Sequence, residues 1–309
     1  MAGSGAGRLQ NKVALVFGAS PYNGGTCAHF MAREGARLVV SDILPAMCAQ
    51  TAAFLKQRGF DAIGLPGDAS EEPAVAAIVA QAIEHYGRID IMLNLAGTQY
   101  RHDVLEMNLF DWNRMLKGYL TAGMLTTKHV ARAMVEKQTP GSIIHIISDA
   151  GHQGEAGNSA YSAAKAGLLN FSRAAAAEFG RYGIRVNTIS PTFIDHLFSI
   201  YLPGRFNPRI HAPYSLTADD FLQGIPLGRF CTAMDVANAA VFLASEEASF
   251  ITGTDLALDG GARSKYWPWM PGKWSGITTE EYLAHTVRHR YGEPIPAEAT
   301  PANPNRDRR

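Results

Sequence analysis

An α/β fold built on a doubly wound parallel sheet, in a single domain with a C-terminal extension, is predicted by three observations. Apolar, β-rich runs of strand length recur at 12–17, 37–41, 89–93, 142–147 and 183–190, separated by longer stretches of helical character. A glycine-rich turn, residues 18–25, stands directly between the first such run and a helical stretch. The chain has 309 residues and is 47% hydrophobic, which suffices for one large core; α/β sheets of about 250 residues commonly form one domain. The expected division is a loose tail at 1–10, the α/β domain at 11–262, and an extension at 263–309 whose end is disordered.

Charge and cysteine usage exclude several classes. Lys plus Arg total 28 and Asp plus Glu total 28, so no whole-chain field draws in nucleic acid or an anionic membrane. Cys27, Cys48 and Cys231 are far apart, odd in number and without metal-ligand spacing, so a reducing, cytoplasmic setting and no metal site are expected. No apolar run reaches about 18 residues and 1–10 lacks a signal-type core, so neither insertion nor secretion is indicated.

In chain order, the strand at 12–17 runs into Gly18-Ala19-Ser20-Pro21-Tyr22-Asn23-Gly24-Gly25, and a helix is predicted from Thr26 to Arg33. Strand, glycine turn and helix start together make a Rossmann-like dinucleotide site, with the pyrophosphate against free backbone N–H groups. Gly18, Ser20, Tyr22, Asn23 and Gly24 are its expected contacts. A second strand, 37–41, ends in Asp42, close to the spacing of about 20 residues at which a carboxylate grips the adenosine ribose. A carboxylate there repels a 2′-phosphate and accepts from a 2′-hydroxyl, and the turn holds no Arg or Lys, so NAD is favoured over NADP. Helices are predicted at 45–58 and 72–86, with a strand at 62–65 between them.

The second half carries the chemistry. Ser148 follows the apolar run 142–147 and so sits at the carboxyl end of a strand, where open α/β sheets bind ligands. A buried helix is predicted from Ala160 to Phe179, and on it Tyr161 and Lys165, four apart, share a face. An ammonium beside a phenol lowers the phenol pKa from about 10 toward neutrality, which suits proton exchange.

The segment Gly141 to Pro191 resembles the catalytic half of the classical short-chain dehydrogenase/reductase family, and the resemblance runs from about Asn11 to Gly261. It implies that Tyr161 is the general acid/base, that Lys165 holds the nicotinamide ribose, and that Ser148 positions the substrate oxygen. It further implies adenine contacts from Asp68 and Ala69, a close approach of cofactor at Ala96 and Gly97, either strand-tying or cofactor contact by Asn94, and nicotinamide contacts near Pro191 and Ile194. The family is usually tetrameric, so a homo-oligomer, tetramer or dimer, is implied.

This sequence departs from the family pattern at several positions. Phe17 and Tyr22 replace a threonine and the middle glycine of the turn, so the loop must swing out or use Asn23-Gly24-Gly25 for close approach. In a helix predicted over 111–134, Tyr119 stands where Trp112 spacing places a relay asparagine; Gly118 could let the backbone deform there and take a water, the Tyr119 hydroxyl could substitute, the site could be weakened or repurposed, or Tyr119 could be a plain core residue. Thr192 replaces a glycine, and His196 a threonine.

Three further regions stand out. Asp149 and His152 lie in an unusually polar loop that either reads a polar substrate group or is solvated. Residues 196–224 are rich in aromatics, with Arg205, Arg209 and His211, and resemble a lid for a bulky, mostly apolar substrate with a polar or anionic end. The extension opens with Trp267, Trp269 and Trp274, too apolar to be left in water. The activity implied is hydride transfer between NAD(H) and a secondary alcohol or ketone, with the cofactor supplying the hydride chemistry. Alternatives are reduction of an enone or imine, and a dinucleotide-binding sensor or scaffold without turnover.

Overall fold

The computed structural model describes residues 7–97, 101–195 and 222–264. The chain divides into two compact units, Met1–Trp267 and Pro268–Arg309, the second outside the described residues.

The first unit alternates strand and helix: β1 (Val13–Phe17), α1 (Asn23–Arg33), β2 (Arg37–Ser41), α2 (Pro45–Gln57), β3 (Ala62–Gly64), α3 (Glu72–Tyr86), β4 (Ile91–Asn94), α4 (Leu109–Leu116), α5 (Ala122–Glu136), β5 (Gly141–Ile146), α6 (Ser159–Phe179) and β6 (Ile184–Pro191). Then come the short strands β7 (Ile194–Asp195) and β8 (Cys231–Thr232), α7 (Ala233–Ala244) and β9 (Asp255–Leu258). Seven parallel strands form one sheet in the order β3-β2-β1-β4-β5-β6-β9, and β7 and β8 form a separate pair. The Rossmann-like prediction is therefore met, with the order reversing between β1 and β4, where such sheets bind ligands.

Successive side chains of a strand point to opposite faces, and here both faces are covered. Ala14 and Val16 of β1 join a buried cluster with Met31 of α1 and Val236 of α7, whereas Leu15 and Phe17 join another with Val75 of α3 and Val130 of α5. Both sets are apolar, which is why the strands read as continuous runs. A buried Leu or Ile of this kind contributes roughly 1.5–3 kcal/mol.

Register then assembles the site. Phe17 pairs with both Ser41 and Asn94, and Asn94 with His145, so Gly18, Asp42 and Leu95 follow the strands side by side at their carboxyl ends, level with Ile146, the last residue of β5.

Three local expectations are corrected. α1 starts at Asn23 and not Thr26, because Gly24 and Gly25 form its buried first turn; a Cβ on Gly24 would fall on the Gly18 carbonyl oxygen. The single helix predicted over 111–134 is two helices joined by a π-helical turn, Lys117–Thr121. Gly118 within it lacks the side chain that would favour regular helix, and such turns are frequent at functional sites. At the N-terminus, Leu9 is fully buried and its N–H donates to Glu34 O at 2.9 Å, so packed structure begins inside the segment expected to be loose. His196, the segment 196–221 and the Trp-rich start of the extension lie outside the described residues.

Candidate active site

Ser148 leaves the end of β5 in extended conformation, φ −178°, and its Oγ accepts from Ala150 N at 3.2 Å. Tyr161 lies in the first turn of α6 and hydrogen-bonds to Ser148. Lys165, one turn further on, is 4% exposed and donates from Nζ to Ile146 O at 2.7 Å. The structure thus brings together the three residues that the sequence singled out.

Their electrostatics differ from the expectation. Burial pushes the Tyr161 hydroxyl up to about 12, Glu155 adds to the rise, and the Ser148 hydrogen bond and the charge of Arg101 oppose it. Burial also pulls the Lys165 ammonium down to about 7. Lys165 Nζ stands 5.6 Å from the Tyr161 ring centroid but 4.4 Å from that of Tyr119. In the protein alone the predicted lowering of Tyr161 by Lys165 is absent. Desolvation dominates both groups, as it does wherever a charged form loses water without a close partner.

Tyr119 is the residue the π-turn places. It is 7% exposed, meets Tyr161 edge to face at 5.1 Å and 78°, and offers its ring to the ammonium, a favourable contact when desolvated. Gly97 makes room for it: its φ is +146°, and a Cβ there would fall on the Tyr119 ring. Space at Gly97, expected to admit a cofactor ribose, is used by a tyrosine. Gly97→Ala is therefore expected to destabilise the fold by about 1–3 kcal/mol from backbone strain alone and to displace Tyr119; urea unfolding would read the first effect, and a fall in any turnover the second.

Dinucleotide-binding features surround β1. Gly18 has φ +72° and lies against the backbone of Leu95 and Ala96, where a Cβ would come within 2.8 Å of Ala96 N. Gly25 N donates to Ser20 O at 2.8 Å, and Tyr22, the residue preceding α1, is 40% exposed. Asn23 Oδ1 is buried without a hydrogen-bond partner. Asp42 is buried at the end of β2, accepts from Leu44 N at 3.0 Å and from Ser20 N, and burial raises its pKa. A turn whose Gly18 and Gly24 pack on neighbouring backbone, a helix N-terminus, an orphaned amide oxygen and a carboxylate at the next strand end fit a dinucleotide.

The remaining predicted residues are placed as follows. Asn94 uses its amide within the protein: Oδ1 accepts from Ala96 N at 2.9 Å and Nδ2 lies 3.3 Å from His145 Nδ1, tying β4 to β5. Asp68 Oδ1 accepts from Ser70 N and Oγ, both at 2.8 Å, ahead of α3, and Ala69 is buried beside it. Pro191 is buried at the end of β6, and Ile194 opens β7.

Asp149 and His152 pair with side chains of β9 and of the turn that follows it. His152 Nε2 lies 2.9 Å from Asp255 Oδ2 and 3.2 Å from Ser190 Oγ. Arg263 Nε is 3.1 Å from Asp149 Oδ1 and 3.2 Å from Asp259 Oδ2, and its Nη2 is 3.3 Å from Asp255 Oδ2. The Nε proton goes to Asp259, so Asp149 Oδ1 has charge pairing without a hydrogen bond, and burial raises Asp149 to about 6 against the pull of Arg263. This network bolts the turn after Ser148 to β9. Arg263 and Asp255 escaped the sequence reading; the one signal for them was an aspartate opening the otherwise apolar run Asp255–Leu258.

Residues 24–263 match the family model described as Enoyl-(Acyl carrier protein) reductase. The chain is 36% identical over 258 residues to 2,5-dichloro-2,5-cyclohexadiene-1,4-diol dehydrogenase LinX of Sphingobium indicum, covering 83% of this chain and 98% of that protein. It is 33% identical over 251 residues to cis-4-hydroxycyclohexanecarboxylate dehydrogenase of Sinomonas cyclohexanicum, covering 81% and 96%. Among solved structures, a short-chain type dehydrogenase/reductase from Mycobacterium marinum superposes with a TM-score of 0.73 at 28% identity, covering 83% of this chain and 97% of that one.

Proposed function

The chain belongs to the classical short-chain dehydrogenase/reductase family, and on that premise we propose that it is an NAD(H)-dependent dehydrogenase of a bulky, mostly apolar secondary alcohol or its ketone. The observation that carries this reading is the meeting of Ser148, Tyr161 and Lys165 beside the glycine cradle. Two relatives named for cyclic alcohols support the substrate class.

Asn23, the N–H groups at the start of α1 and Asp42 would hold the dinucleotide, and the nicotinamide, when bound, supplies or accepts the hydride. Ser148 Oγ orients the reacting oxygen. Tyr161 Oη takes the hydroxyl proton as an alcohol becomes a ketone and returns it in reduction. Tyr119 and the Ile146 carbonyl hold Lys165 in place. A homo-oligomer in the cytoplasm is part of this reading; no helix among the described residues is long and apolar enough to cross a membrane.

The test is titration of NADH and NADPH by fluorescence, followed by a panel of cyclic secondary alcohols and ketones. NADH should bind the more tightly, and Asp42→Ala should narrow the gap on the order of tenfold or more, the worth of a charged hydrogen bond. Tighter NADPH binding by the wild type would sink the assignment of Asp42. A second reading, reduction of an enone, draws on the description of the matching family model; loss of the alkene and not the carbonyl in a cyclic enone would favour it.

A further inference from the structure

Beside Tyr161 lies a group of polar side chains that the chemistry above does not use. Arg101 Nη2 pairs with Glu155 Oε1 at 2.6 Å, and Glu155 Oε2 accepts from Asn158 Nδ2 at 2.8 Å. Glu155 thereby bridges the loop after β4 to the residue that precedes α6, a join strengthened by the bridge between His102 and Asn158. Both ends of this chain of bonds are left open. Arg101 Nη1 and Asn158 Oδ1 are each buried without a hydrogen-bond partner, and Asn158 as a whole is 1% exposed. The charges of Arg101 and Glu155 both act on Tyr161, so the cluster flanks the reacting hydroxyl.

An unmet buried N–H on a charged group costs about 1–3 kcal/mol or more, and native proteins leave few such groups without a reason. Glu155 satisfies the charge of the guanidinium and one arm of its fork. What the other arm lacks is an oxygen acceptor, and a carboxylate oxygen gives a guanidinium its strongest hydrogen bond.

We propose that Arg101 is a specificity-determining residue whose Nη1 binds a carboxylate carried by the alcohol substrate at a distance from the reacting carbon. Glu155 and Asn158 fix the guanidinium, so the carboxylate meets a preorganised donor and does not have to order one. The substrate class is then a secondary alcohol on a mostly apolar frame that bears a remote carboxylate. This inference rests on the dehydrogenase reading given above.

The experiment compares 4-hydroxycyclohexanecarboxylate with cyclohexanol in the full-length wild type, Arg101→Met and Arg101→Lys. The wild type should favour the carboxylated alcohol by at least about tenfold in kcat/KM. Arg101→Met should erase most of that preference by raising KM for the carboxylated alcohol alone, while the lost charge near Tyr161 changes kcat alike for both alcohols, and Arg101→Lys should restore part of the preference. A kcat/KM preference that survives in Arg101→Met would overturn the proposal. A second measurement needs no turnover: cyclohexanecarboxylate should raise the thermal midpoint of the wild type and of Arg101→Lys but not of Arg101→Met. An equal shift in all three overturns the carboxylate site, whereas silence of the wild type toward both alcohols with that shift intact overturns only the dehydrogenase reading.

Discussion

Tyr161→Phe should lower kcat by on the order of 10²–10⁴, the usual worth of a positioned acid or base, while NADH affinity stays close to that of the wild type. Phenylalanine keeps the ring that meets Tyr119 edge to face and removes only the hydroxyl, so loss of folding is not the expected outcome. The pH dependence should differ between directions. With the Tyr161 hydroxyl pushed up to about 12 by burial, the phenol is protonated at neutral pH and ready to donate in ketone reduction. Alcohol oxidation needs the phenolate, so its rate should climb with pH above neutrality, and the climb should be missing in any residual activity of Tyr161→Phe. Steady-state rates in both directions from pH 6 to 10 would decide. Full activity in the substituted protein would move the acid/base to another group, and Tyr119 would be the first to examine.

Much of this site was legible because its signals are local. A parallel strand buried on both faces must be apolar throughout, so β1, β4 and β5 announce themselves, and the glycine turn and Asp42 follow at spacings that one strand and one helix impose. Tyr161 and Lys165 share a helix face by arithmetic alone. The unread parts depend on distance in space. Lys165 was expected to act on Tyr161, yet the π-turn carries Tyr119 onto the ammonium, and burial, a property of the whole domain, sets both pKa values. Glu155 is 54 residues from Arg101 in sequence and 2.6 Å away in the fold. Arg263 sits in the turn beyond the last strand, and nothing around it in the sequence points to Asp149. Polar clusters assembled from separate loops leave no periodicity to find.

Lys165→Met should cost on the order of 10²–10³ in kcat, in line with the loss of one preorganised electrostatic contact, and should change how stability responds to pH. The lysine is buried against Tyr119 and the Ile146 carbonyl, and burial brings its pKa from an ordinary 10.5 down to about 7. Between those values the unfolded chain binds more protons at this position than the folded one, so unfolding free energy rises with pH from about 7 toward 10. Methionine has a similar shape and no charge to desolvate, so the variant should lose this rise and be the more stable protein at pH 7. Tyr119→Phe preserves the ring face under the ammonium and should keep the wild-type dependence of stability on pH, whereas Tyr119→Asn removes that face. Urea unfolding of the four proteins at several pH values provides the measurement. An identical pH slope in the wild type and Lys165→Met would show that the ammonium is better solvated than this packing allows, and the contact with Tyr119 would lose its role in holding the lysine.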